Sequence, residues 1–108
     1  MFALLNNKSN EDLTPTEFYL GQNYPNPFIK KTVIKYCIAY RTKVILKVYN
    51  SDGKEVEKLV DEDQNPGTYE VEYTYAETGI TPVLKNQTYT YRIEAGNYTC
   101  EKKMELIK

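Results

Sequence analysis

Thr68-Tyr69-Glu70-Val71-Glu72-Tyr73-Thr74-Tyr75 alternates strictly, with Tyr69, Val71 and Tyr73 on one face and Glu70, Glu72 and Thr74 on the other. A period of two residues is that of an extended strand, whose successive side chains leave opposite faces. Large rings on one side and carboxylates on the other describe a strand with one face against a core. The rest of the chain can be read outward from here.

Upstream, Asp61-Glu62-Asp63-Gln64-Asn65-Pro66-Gly67 has the composition of a turn. Before it, Lys54 to Val60 is ambiguous, because Val56, Leu59 and Val60 also fit a turn and a half of helix. It is too short for a stable helix and follows a hairpin signal, so it reads as a strand. That signal is Ser51-Asp52-Gly53, whose Asp-Gly pair supplies left-handed backbone. Lys43 to Asn50 alternates with Val44, Leu46 and Val48 inward and Ile45, Lys47 and Tyr49 outward. Thr32 to Ile38 alternates with Ile34, Tyr36 and Ile38 on one face.

Downstream, Ala76 to Asn86 is a longer connection carrying Gly79 and Pro82, with room for a short extended piece at Val83-Leu84. Gln87 to Glu94 alternates through Tyr89, Tyr91 and Ile93, Ala95-Gly96-Asn97 turns the chain, and Tyr98 to Ile107 is the last strand. Short strands with turn signals every ~8–12 residues mark a sandwich or barrel. No segment sustains a helical period, so the expected class is all-β.

The entry to this region differs. Phe18 and Leu20 alternate with polar neighbours, then Gly21-Gln22-Asn23-Tyr24-Pro25-Asn26-Pro27-Phe28 follows. The prolines fix their own φ and push Tyr24 and Asn26 towards extended backbone. Such a segment belongs along a sheet edge or across the end of a sandwich, with Tyr24 and Phe28 as its anchors. Residues 1–16 are polar and unpatterned, and read as a linker or frayed N-terminus, which leaves 17–108 as one domain.

Composition narrows the chemistry. The chain has 108 residues, 41% hydrophobic and 27% charged, enough for one modest core and little left over for a deep cleft. Its formal net charge is −1, from 14 basic and 15 acidic residues, which is not the footprint of a nucleic-acid binder. There is no histidine, so no Ser–His or Cys–His nucleophile and no imidazole-ligated zinc site can be built. Cys37 and Cys100 lack CxxC spacing, and alternation sets Cys37 opposite Ile34, Tyr36 and Ile38 while Cys100 shares parity with Met104 and Leu106. That disfavours a disulfide, which needs facing Cβ atoms. Met1-Phe2-Ala3-Leu4-Leu5 has no basic n-region and is too short for a signal core, and no transmembrane run occurs. The expectation is a module without catalysis, cofactor, metal or small-molecule substrate.

Other features have a plain reading beside the functional one. Asp61-Glu62-Asp63 offers oxygen ligands but lacks the spacing of a calcium loop, and adjacent carboxylates at a hairpin tip are ordinarily just solvated. Of 11 tyrosines, Tyr36, Tyr69, Tyr73, Tyr89 and Tyr91 fall at inward positions and read as core, leaving Tyr49 and Tyr75 as surface candidates. Asn86-Gln87-Thr88 and Asn97-Tyr98-Thr99 match a glycosylation sequon that is short enough to arise by chance. The last strand, with Lys102 and Lys103, is an available edge that a partner could extend, or an ordinary closing strand whose lysines discourage aggregation.

Four segments in order resemble one family. Glu17 to Phe28 is similar to the entry motif of the C-terminal sorting domain of type IX secretion cargo, and Val44 to Val56 to its second motif. Pro66-Gly67-Thr68-Tyr69-Glu70-Val71 resembles the third, and Lys102-Lys103-Met104-Glu105-Leu106-Ile107-Lys108 the terminal one. The Ig-like domain of flagellar hook-capping proteins shares much of the pattern. The chain departs from it with Ile29-Lys30-Lys31 after Phe28, with Asn86-Gln87 before the penultimate strand, and in lacking a tryptophan near Tyr73.

The resemblance implies an Ig-like antiparallel β-sandwich of about seven strands behind a larger cargo domain. It would be exported through the periplasm to the cell surface of Bacteroidetes-type bacteria and read by outer-membrane secretion proteins. Recognition would fall on Lys102, Lys103, Met104, Leu106 and Lys108 of the terminal strand and on Tyr49. Asn23, Tyr24, Pro25, Asn26, Pro27, Phe28, Asp52, Gly53, Gly67 and Tyr69 would carry the fold. The alternative is a structural or adhesive Ig-like module that binds protein or glycan through Tyr49 and Tyr75.

Overall fold

The computed structural model describes residues 15–75 and 87–107, and the regular elements among them are all strands. The strands are β1 (Tyr19–Leu20), β2 (Lys31–Ile38), β3 (Thr42–Tyr49), β4 (Glu55–Gln64), β5 (Gly67–Thr74), β6 (Gln87–Ala95) and β7 (Tyr98–Leu106). They make a three-stranded sheet, β1-β2-β5, and a four-stranded sheet, β4-β3-β6-β7, with every neighbouring pair antiparallel. The chain crosses between the sheets after β2, after β4 and after β5. The fourth strand pairs with the third rather than the fifth, as in Ig-like sandwiches whose larger sheet holds the third, sixth and seventh strands. The expected sandwich is what forms.

Alternation places the core. Ile34, Tyr36 and Ile38 of β2, Val44, Leu46 and Val48 of β3, Tyr89, Tyr91, Ile93 and Ala95 of β6, and Met104 and Leu106 of β7 are buried between the sheets. Tyr73 of β5 is buried among them, and Tyr69 and Val71 pack against the cluster. Tyr36 and Tyr69 stack at 5.3 Å with rings 10° apart, and the Tyr69 hydroxyl donates to the Asn65 carbonyl at 2.7 Å. Tyr75 also packs against the core. It shares the parity of Tyr73, so its assignment to the surface does not hold.

The acidic run is strand, not turn. Asp61 to Gln64 pair with Ile45 to Thr42 across the β3–β4 ladder, and only Asn65 and Pro66 are left to make the bend. Pairing with β3 overrides turn composition here, and cations from β3, from β4 itself and from the connection before β3 face the carboxylates. Lys43 Nζ lies 3.3 Å and Lys58 Nζ 3.0 Å from the Asp61 carboxylate, and Arg41 lies 3.8 Å from Asp63. Gln64 turns inward and accepts the buried Tyr36 hydroxyl at 2.8 Å. The ambiguity of Lys54 to Val60 also has a cause. The β3–β4 register skips Leu59 and Val56, two irregularities that break the period of two and let consecutive Leu59 and Val60 both face the core.

The β3–β4 turn is organised by Asn50 more than by Asp52. The Asn50 side-chain oxygen accepts from the Asp52 and Lys54 amides at 2.9 and 3.0 Å, and its carbonyl accepts from Gly53 at 2.9 Å. Gly53 has φ +83°, as the sequence predicted for this turn. Gly96, at the β6–β7 turn, has φ +59°.

Candidate functional site

The two prolines remove backbone N–H groups at 25 and 27, so the entry segment must pair through amide side chains instead. Gln22, Asn23 and Asn26 supply them. Asn23 is buried, and its side-chain nitrogen donates to the Pro25 carbonyl at 3.1 Å and to Thr32 Oγ1 at 3.0 Å. Thr32 in turn donates to the Pro25 carbonyl at 2.8 Å. The Asn23 amide donates to the Tyr91 hydroxyl at 2.8 Å, and that hydroxyl donates to the Gly21 carbonyl at 2.6 Å. Burial pushes the Tyr91 phenol up to about 12, with the Asn23 amide acting in the opposite direction.

Tyr24, expected as an anchor, is 79% exposed, whereas Phe28 is fully buried as expected. Asn23 takes the anchoring role, because the side chain preceding Tyr24 points into the sandwich while that of Tyr24 points away.

From this hub the entry segment runs along the outer edge of β7. The Gln22 side-chain nitrogen donates to the Lys103 carbonyl at 2.7 Å, and the Glu105 amide donates to Asn26 Oδ1 at 2.9 Å. Phe28 and Leu106 then form a parallel bridge, with the Phe28 amide donating to the Glu105 carbonyl at 2.8 Å and the Ile107 amide to the Phe28 carbonyl at 2.9 Å. The edge that alternation offered to a partner is therefore occupied, from Lys103 to Ile107, by the protein's own chain. Strand addition there is not available without displacing the entry segment.

The proposed recognition residues do not form one patch. Met104 and Leu106 are core, 0% and 2% exposed, so no partner can read them in the folded domain. Lys102 is half-buried on the inward side of β7, opposite Tyr91 in register, whereas Lys103 is exposed on the outward side. Lys108 lies outside the described residues, as do residues 1–14, the Val83-Leu84 piece and Asn86 of the first sequon.

Lys103 and Tyr49 do share one face. Both line an open depression of about 460 Å3 on the outer face of the four-stranded sheet, with Asn50, Thr90, Arg92 and Glu101. Arg92 lies over the Tyr49 ring at 5.6 Å and is pinned by Glu101 at 3.2 Å. Sequence reading missed Arg92. Its odd partner in the alternation, a cation among Thr88, Thr90 and Glu94, was the available signal. Among the described residues no group of three or more His, Cys, Asp or Glu stands together as a metal site. Cys37 and Cys100 are both free, on different sheets.

By class, the chain is an Ig-like β-sandwich whose last strand is sealed along half its outer edge by its own entry segment. Compared with known proteins, it matches no family model, no curated protein and no solved structure.

Proposed function

We propose that this domain is a non-catalytic sorting and anchoring module of the type IX secretion kind, carried behind a cargo domain and read by outer-membrane secretion proteins at the cell surface. One observation supports this most directly. The Gln22-to-Phe28 and Lys103-to-Ile107 stretches, which begin and end the family resemblance, are hydrogen-bonded to each other in one seam. Two motifs that are distant in sequence thus act as a single structural unit.

Because the seam occupies the backbone edge, a receptor reads side chains rather than adding a strand. The outward face with Lys103, Tyr49, Arg92 and Glu101 is the surface it meets. Deleting the terminal residues is a poor test, since Met104 and Leu106 are core and the domain would unfold.

The informative experiment fuses the full chain behind a folded reporter in a bacterium that carries the secretion machine. The reporter is expected at the cell surface, and Lys103→Glu with Tyr49→Ala is expected to leave it in the periplasm while the thermal midpoint of the domain stays put. Retention of the unsubstituted fusion in the periplasm would overturn the sorting role. Normal display of the double variant would overturn the choice of surface.

A further inference from the structure

The outer face of the three-stranded sheet, opposite Tyr49 and Lys103, carries a second depression that the sorting role does not use. Tyr19 and Tyr24 line an open groove of about 560 Å3 floored by Gly21 and Val33 and flanked by Gln22, Lys35 and Glu70. That volume lies within the ~300–1,000 Å3 usual for small-ligand sites. The two rings are 53% and 79% exposed, the second the most exposed large hydrophobic side chain among the described residues.

The backbone that carries both rings is held in place. A Cβ at Gly21 would sit 3.2 Å from Tyr19 Cε2 and 3.1 Å from the Lys35 carbonyl, so the absent side chain lets the ring lie against the backbone. Tyr24 exchanges 2.9 Å main-chain hydrogen bonds with Val33 in both directions, and it sits between the buried Asn23 and the φ-fixed Pro25. With the backbone fixed, each ring has only two side-chain torsions to lose, so docking on it costs little conformational entropy.

The chemistry of the lining selects the ligand. Lys35 and Glu70 pair across the β2–β5 ladder at 3.7 Å, so neither an anion nor a cation finds an unopposed partner. An added strand finds the main-chain groups of Gly21 and Tyr24 engaged, the Gly21 amide by Lys35, its carbonyl by the Tyr91 hydroxyl, and both groups of Tyr24 by Val33. What remains is apolar ring surface bordered by an ammonium donor, a carboxylate acceptor and Gln22. We propose that this groove binds a neutral saccharide, whose C–H face stacks on Tyr24 and Tyr19 while its hydroxyls meet Lys35, Glu70 and Gln22. The proposal is independent of the sorting role.

Titrating the full isotope-labelled chain with cellohexaose, chitohexaose, laminarihexaose and mannohexaose, followed by amide NMR, tests it. At least one sugar is expected to shift the Gly21, Val33 and Lys35 amides saturably. Tyr24→Ala is expected to weaken that binding by about tenfold or more, as removing a stacking ring does, and Tyr24→Phe to retain it. Absence of binding to all four sugars at millimolar concentration would overturn the proposal. So would equal binding by Tyr24→Ala, or shifts confined to the Tyr49 face. Loss of export in Tyr24→Ala without sugar binding would overturn it in favour of a protein docked in the groove.

Discussion

The Tyr91 hydroxyl in the middle of β6 donates to the carbonyl of Gly21 at 2.6 Å, although 70 residues separate them. The same hydroxyl accepts the Asn23 amide, so one phenol satisfies both main-chain groups that flank Gln22. It fastens the entry segment to the core before that segment reaches the edge of β7.

Tyr91→Phe keeps the ring but leaves a buried carbonyl and a buried amide without their partner. The expected loss is about 1–3 kcal/mol of unfolding free energy, read by urea denaturation. Amide exchange of Phe28 and Ile107, which pair along the seam, should accelerate more than that of β3. Uniform acceleration would mean that the seam has no separate stability.

Alkaline pH should attack the same region. Burial pushes the Tyr73, Tyr91 and Tyr98 phenols up to about 12, from an ordinary value of about 10. Between those values the folded chain binds more protons than the unfolded one, so stability is complete below pH ~10 and is lost as pH rises towards ~12. Denaturant midpoints across that range, alongside tyrosinate absorbance, check it. Asp61 behaves in the opposite sense. Hydrogen bonds from Lys58 and Lys43 lower it, so its contribution is present above its ordinary value near ~4 and is lost as pH falls through the depressed one. It is exposed, so that contribution should be small and should shrink with added salt.

The two left-handed glycines separate backbone strain from steric clash. Nothing stands near a Cβ added at Gly53, so Gly53→Ala should cost about 1–2 kcal/mol from conformation alone. A Cβ at Gly96 would fall 2.6 Å from the Tyr40 hydroxyl, so Gly96→Ala adds to the conformational cost whatever it takes to move that half-exposed ring off its edge contact with Phe18. Tyr40→Ala in the Gly96→Ala background should recover the difference, and a double-mutant cycle on denaturation midpoints measures it.

Along β7, adjacent positions should behave oppositely. Met104→Ala opens a cavity under the sheet and should cost about 2–5 kcal/mol, whereas Lys103→Ala should stay within ~0.5 kcal/mol. Thermal and urea unfolding of the two variants read this directly. Comparable losses would mean that the strand does not present alternate faces to core and solvent.

Much of this fold was legible locally. The alternation of Ile34, Tyr36 and Ile38, of Val44, Leu46 and Val48, and of Tyr89, Tyr91 and Ile93 identified both strands and inward faces, because strand periodicity is a local property. Gly53 was legible for the same reason. The Asp61-to-Asp63 strand was not, because its partners are distant in sequence: Lys43 lies on β3 and Arg41 in the connection before it. Nor was the choice of Asn23 over Tyr24 as anchor, which depends on Thr32 and Tyr91 lying beside it.

By itself, then, the sequence determined an all-β chain, most of the residues of its core, the left-handed turn at Gly53 and a proline-fixed entry that had to stay out of the central strands. Only the tertiary structure decided that it runs along an edge, and which one. Gln22 meets Lys103 across 81 residues because sheet order sets β7 beside the entry segment. No local pattern encodes that adjacency, since hydrogen bonds between distant segments follow from how the sheets stack. The last strand, which looked open to a partner, is closed by the protein itself, and its exposed side chains are what remain to be read.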